Sequence, residues 1–176
     1  MEEKSHFKYL LIKLIIFVIL AVLVGIFANQ FVEQLKYFIG ALMLLYGLEE
    51  ILFEFIYDRK KILHKSKAYL GLVEIILGAF TLIAPVEFTA VCVIWATWSI
   101  MRESYEIKEI VGELKHWIPR ILSGVESIII MVFSLMLILE PGHHHALIHM
   151  YLLIAELVLS PLVPLLDELI EEKKTK

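Results

Sequence analysis

The chain has 176 residues, 60% of them hydrophobic, and a mean hydropathy of +0.81. Soluble globular domains average about 45–50% apolar residues, so this composition points to lipid rather than to a water-soluble fold. The net charge is −4, no segment has a nucleic-acid-binding motif, and the single cysteine, Cys92, excludes an intrachain disulfide.

Six apolar stretches follow in chain order: Tyr9–Ala28, Leu35–Tyr57, Ala68–Ala84, Phe88–Met101, Ile118–Leu139 and Ala146–Leu166. Most approach the roughly 20 residues that carry a helix across about 30 Å of hydrocarbon. The first has Lys13 inside its apolar run and continues into "GIFANQFVEQ", a poor cleavage site, so it is expected to be a retained span rather than a signal peptide. Backbone in lipid must satisfy its own hydrogen bonds, which selects helices over isolated strands. The expectation is an all-α polytopic membrane protein, a single membrane domain over 1–176 with six transmembrane helices.

After the fourth stretch comes "RESYEIKEIVGELKHWIP". Ile107, Ile110, Val111, Leu114, Trp117 and Ile118 recur there at helical spacing. An amphipathic segment is predicted over about 103–118, either lying along the inner surface or extending the fourth helix, and ending before Pro119. Pro161 and Pro164 are candidate breaks near the inner end of the last helix.

Lys and Arg set the orientation. Lys4, Lys8, Arg59, Lys60, Lys61, Lys65, Lys67, Lys108, Lys115, Arg120, Lys173, Lys174 and Lys176 all fall on one side, thirteen of the sixteen basic residues. The opposite loops hold only Lys36. This asymmetry is expected to place both termini in the cytoplasm. The outer loops are short, about 29–34, 85–87 and 140–145. They divide the chain into three out-and-back hairpins, about 9–57, 68–107 and 118–167.

The hairpins resemble one another at an offset of 52 residues. "YLGLVEIILGAF" aligns with "ILSGVESIIIMV", setting Glu74 opposite Glu126, and "YGLEEILFE" slides onto "WSIMRESYE", setting Glu50 opposite Arg102 and Glu54 opposite Glu106. In the last hairpin Glu156 falls near the Glu50 position. A degenerate threefold helical-hairpin repeat is predicted.

The spacing Gly71, Gly78, Leu82, Pro85 in "GLVEIILGAFTLIAP", together with the helix "FIGALMLLYGLEEI", resembles HdeD-type proteins. These are six-helix bacterial and archaeal membrane proteins built from short repeats of unknown function and linked to acid resistance. The first four helices carry the likeness. The last hairpin departs from it, with Ile130 at the position of Gly78. The resemblance implies the fold and a stress role, and brings no catalytic residues with it.

Six ionisable groups fall inside apolar stretches: Lys13, Glu50, Glu74, Arg102, Glu126 and Glu156. Each costs roughly 2.5–3.5 kcal/mol at the centre of a lipid-facing helix, so they must face one another, water or the interface. At about 1.5 Å per residue, Glu74, Glu50 and Glu126 lie roughly 9–12 Å from the cytoplasmic ends of their helices. Glu156 is deeper, and Lys13 and Arg102 are shallow enough to snorkel. A buried ionisable layer in the inner half of the membrane is expected. It serves either as glue between helices or as a site for a cation, a proton or a polar ligand. Four carboxylates face two basic residues, and at least one of Glu74, Glu126 and Glu156 is expected to hold a proton near neutral pH.

Small residues share the faces of these helices: Gly40, Gly47 and Glu54; Gly71, Glu74 and Gly78; Ser123, Glu126, Ser127 and Ser134. Such faces permit close helix approach within the chain or in a homo-oligomer.

On the outer side, "EPGHHHALIH" places His143, His144, His145 and His149 together, beyond a Pro141–Gly142 turn. If the last helix starts near His144 or His145, then His145 and His149 share a face, with Glu140 nearby as a third ligand for a divalent metal. An interfacial cap and a pH-responsive cluster are the alternatives, since histidine changes charge between about pH 5 and 8. His6, His64 and His116 fall on the cytoplasmic side, which argues against haem. Without a nucleophile constellation or a catalytic metal motif, the expected function is non-enzymatic: a membrane protein contributing to acid or envelope stress tolerance. A small proton- or cation-coupled transporter using the buried glutamates is the competing expectation. Membrane lipids are the expected surroundings.

Overall fold

The computed structural model describes the backbone of residues 2–57, 66–112, 114 and 116–175, and the side chains of 10–52, 68–107, 114 and 116–171. Among the described residues there are seven helices and no strand. They are α1 (Glu2–Ile26), α2 (Ala28–Glu33), α3 (Leu35–Tyr57), α4 (Ser66–Ile83), α5 (Phe88–Gly112), α6 (Trp117–Leu139) and α7 (His143–Thr175). Apart from Lys13, Lys36, Arg102 and Arg120, the basic residues counted above lie outside the described side chains, as does Glu54.

Each of the six apolar stretches is helical, and two local details depart from expectation. The connection expected as a loop over about 29–34 holds the short α2, entered almost without a break: the Phe27 N–H donates to Leu23 C=O, and the Phe31 N–H to Phe27 C=O. Residues 103–112 continue α5, the second of the two forms expected for this segment. The register of the fourth apolar stretch therefore runs on into charged sequence, and Glu103 and Glu106 share the inward face of α5 with Arg102. α7 passes through Pro161 and Pro164 unbroken. Proline there removes the N–H that would bond to Leu157 and Ser160 C=O, but packing of the turns on either side holds the helix. Pro119 sits in the first turn of α6, where its missing N–H has no intrahelical partner to lose.

Trp117–Leu139 and His143–Glu171 are long and apolar enough to cross a membrane, and Leu10–Ile26 and Ala68–Ile83 are shorter apolar helices. The tightest packing joins α3 to α4, α5 to α6 and α1 to α7, followed by α6 to α7. Neighbours in space are thus mostly helices joined across the longer, charged connections, or the first and last helices of the chain. α5 and α7 are the most enclosed. Of their large apolar side chains, only Phe88, Tyr151 and Leu169 are exposed among the described residues. α1, α4 and α6 lie outermost and turn Ile, Leu, Val and Phe outward along their length. The apolar core is built from Ile39, Met43, Cys92, Trp95, Met150 and Leu157, with Val24 of α1 and Leu137 of α6.

Glycine sets the α3–α4 distance. Gly40 faces Gly78, and Gly47 faces Gly71, so the two backbones touch twice, two helical turns apart. A Cβ on Gly78 would meet the Gly40 carbonyl oxygen at 2.7 Å, and one on Gly71 would meet the Gly47 oxygen at 2.8 Å. The glycine faces read as helix–helix contacts are therefore occupied within the chain. The serine face of α6 also turns inward: Ser123, Ser127 and Ser134 are buried.

Candidate functional site

Arg102, on the inward face of α5, is 4% exposed and forms the hub of the polar interior. Its Nε donates to Glu156 Oε1 on α7 at 3.0 Å, and its Nη1 donates to Glu74 Oε1 on α4 at 3.3 Å. Glu50 of α3 approaches Nη1 at 3.9 Å, and Glu106, one turn further along α5, approaches Nη2 at 3.8 Å. Four helices therefore send a charged group to one point.

Aromatic side chains enclose this centre. The guanidinium carbon lies 3.7 Å from the centroid of the Tyr46 ring, a stacked cation–π contact. Trp98 meets Tyr46 edge to face at 5.7 Å between centroids, and its indole N–H donates to Glu74 Oε1 at 2.9 Å. Arginine suits such a place because its planar fork donates in several directions while its face stacks on a ring. A buried pair held this way is hard to break, since removing one partner strands the other charge.

A second group of acids lies on the α6 side of α5. Glu103 is buried against Ser127 of α6, and both of its carboxylate oxygens lack a hydrogen-bond partner. Glu126 of α6 is half-buried, and its Oε1 is enclosed and likewise without a partner. The acids expected from the sequence thus separate. Glu50, Glu74 and Glu156 meet at Arg102, while Glu126 keeps company with Glu103. Lys13 is not brought onto Arg102; its Nζ pairs with Glu49 Oε1 at 3.0 Å and lies over the Phe17 ring, tying α1 to α3.

The histidines also separate. His149 is buried, with Nε2 3.1 Å from Ser99 Oγ and its ring edge-on to Trp95 at 4.6 Å between centroids. His145 instead bonds through Nδ1 to the Glu140 carbonyl oxygen at 2.9 Å, and the Glu140 carboxylate lies 3.8 Å away. His143 stacks on Phe88, and His144 packs against His145. The face expected to hold a divalent metal through His145 and His149 is divided between an inward and a surface environment. No group of three metal-ligating side chains is found among the described residues.

At the opposite end, His116 precedes α6 and binds Asp167 of α7 twice. Its backbone N–H and its Nδ1 lie 2.9 and 2.8 Å from Asp167 Oδ1, and its Nε2 lies 3.7 Å from Glu171. This clasp fixes the start of α6 onto the end of α7.

Sequence reasoning missed Tyr46, Trp98, Ser99, Glu103 and Glu106 as members of the polar interior. Helical spacing held the signal for three of them. Ser99, Arg102, Glu103 and Glu106 stand at i, i+3, i+4 and i+7, one stripe of α5. The stripe begins in the apolar stretch and runs into the charged segment "RESYE", whose faces are assigned in the sequence from its apolar residues alone. No family model, no curated protein and no solved structure matches the chain.

Proposed function

We propose that the chain is a six-span, non-enzymatic protein of a bacterial or archaeal cytoplasmic membrane, resembling HdeD-type proteins and contributing to tolerance of acid or envelope stress. One observation carries the membrane reading: the polarity of the fold is inverted. Large apolar side chains of α1, α4 and α6 face outward, while Glu74, Arg102, Glu103 and Glu156 are enclosed. In water such an arrangement leaves extended apolar surface exposed and charges desolvated. In hydrocarbon the outer surface is matched, and Glu74, Arg102 and Glu156 find their partners inside.

In this reading α1, α3, α4, α5, α6 and α7 each cross once, with α2 in the first outer loop and both termini cytoplasmic. The degenerate threefold repeat belongs to it as well, since α3, α5 and α7 contribute Glu50, Arg102 and Glu156 to one centre. That centre locks the inner helices together and gives a small protein a rigid frame in the membrane. Labelling in intact cells with an impermeant maleimide tests the topology in a Cys92→Ala background. Cysteines replacing Glu33 and Gly142 are expected to react from outside, and those replacing Lys61 and His116 only after permeabilisation. The opposite pattern overturns the orientation, and reaction of all four in intact cells overturns the spans.

A second reading, a small proton- or cation-coupled carrier, is favoured by the unpartnered carboxylates of Glu103 and Glu126. Purified protein in liposomes, stepped externally from about pH 7 to about pH 5, separates the two, a range in which histidine also changes charge. Proton flux that is lost in Glu126→Gln establishes the carrier. No flux above empty liposomes, with acid survival depending on the protein in cells, establishes the structural role.

A further inference from the structure

We propose that Glu103, Glu126 and Ser127 form a binding site for one hard monovalent cation, of which sodium is the type, in the inner half of the α5–α6 contact. The inference rests on the membrane reading above and names a ligand for it.

The argument starts from the oxygens. Glu103 is 1% exposed, and neither of its carboxylate oxygens has a hydrogen-bond partner. Ser127 is 0% exposed, its hydroxyl is directed at Glu103, and no conventional hydrogen bond satisfies it. Glu126 stands one residue before Ser127 on the same helix, with its enclosed Oε1 also unpartnered. Three side chains thus present oxygen, and among the described residues the Ser127 hydroxyl is the one donor turned toward Glu103, short of a full hydrogen bond, while none reaches Glu126. A buried polar group left unmatched is costly, and an uncompensated carboxylate in a low-dielectric interior costs far more.

The neighbouring charges do not relieve this. Glu106 and Glu156 lie within electrostatic reach of both Glu103 and Glu126, and they are acids too. Arg102 is the cation of this layer, and its Nε and Nη1 are committed to Glu156 and Glu74. It lies within reach of Glu103 and is not among the charges acting on Glu126. A mobile cation supplies what the fixed groups lack.

Its class follows from the ligands. All are oxygen, which selects hard cations over the transition metals that imidazole or thiolate would hold. Two carboxylates and a hydroxyl, without a third acid at ligating distance, fall short of the oxygen-rich cages that calcium uses.

The test is thermal unfolding of the full chain in detergent, with sodium chloride compared against choline chloride at equal ionic strength. Wild type is expected to gain roughly 5–10 °C in sodium at 100-fold over its dissociation constant. Glu103→Gln and Glu126→Gln are expected to lose the gain, and Ser127→Ala to weaken it while folding normally. Equal midpoints in the two salts for wild type overturn the site. So does a gain that survives both glutamine variants, or one that magnesium chloride reproduces at equal ionic strength. A midpoint that depends on pH and not on sodium identifies a proton as the occupant, and also overturns the proposal. The readout is independent of flux and of labelling sidedness, so failure here leaves the six-span reading standing, and failure of that reading shows in the labelling.

Discussion

Arg102 on α5 and Glu156 on α7 are joined by a 3.0 Å bond between Nε and Oε1, deep inside the bundle, between two helices whose backbones do not pack closely on each other. Long side chains bridge that gap, and the same guanidinium takes up Glu74 from α4 and lies over Tyr46 of α3. One residue therefore couples four helices. Arg102→Met removes the cation shared by Glu50, Glu74 and Glu156 and is expected to cost about 3–5 kcal/mol, read as a loss of order 10 °C in thermal midpoint. Arg102→Met with Glu156→Met is expected to recover part of the loss, because an apolar pair needs no compensation. A double-mutant cycle without coupling would show that the pair is not part of the frame.

Two classes of glycine are expected to respond oppositely. At Gly47 a Cβ would collide with the Gly71 carbonyl oxygen, and Gly71→Ala meets the reciprocal contact at 2.8 Å. Each alanine is expected to force α3 and α4 apart at a cost of about 1–3 kcal/mol. Gly124 has nothing within 4 Å of its would-be Cβ, so Gly124→Ala is expected to stabilise by about 0.5–1 kcal/mol through helix propensity. Denaturation midpoints of the three variants decide it. A change in oligomeric state with unchanged monomer stability in Gly47→Ala would assign that face to contacts between chains instead.

The histidines are expected to divide by depth. His149→Ala removes the partner of Ser99 and the ring against Trp95, leaving a polar atom and a cavity enclosed. A loss of about 2–4 kcal/mol is expected. Replacing His143, His144 and His145 together by Ala is expected to fall within about 1 kcal/mol of wild type, as surface substitutions do. Comparable losses in the two variants would mean that the outer cluster is also part of the frame.

The clasp at His116 predicts a local effect. Asp167→Ala removes the acceptor for both the backbone N–H and the ring of His116. A loss of about 1–2 kcal/mol is expected, in the range of a lost helix cap. Hydrogen exchange should rise first in the opening turn of α6, around Trp117–Arg120, and spread less to its outer end. Uniform acceleration along α6 would place the stabilisation elsewhere.

Much of this molecule is determined by the sequence alone. Apolar runs bounded by Pro85, Pro141–Gly142 and charged loops specify six helices, and the ends of α3 and α6 fall within a residue of where composition changes. The local rule is strong there because in hydrocarbon, the surroundings proposed above, a long apolar run satisfies its own backbone as a helix. Periodicity also assigns residues to faces: Gly71, Glu74 and Gly78 do share an inward one. Only the tertiary structure decided which faces meet. Gly40 and Gly47 could have met any small-residue stripe, and it is the antiparallel register of α3 on α4 that sets them against Gly78 and Gly71. Arg102, expected in the buried ionisable layer but shallow enough to reach the interface, turns inward onto Glu74, Glu156 and the Tyr46 ring. Glu103, not singled out within the amphipathic segment, is enclosed because α5 runs on past its apolar stretch to Gly112. Spacing along a chain records the rotation of each helix about its own axis. The translation and pairing of helices, and with them every contact between charged groups on different helices, are set by packing.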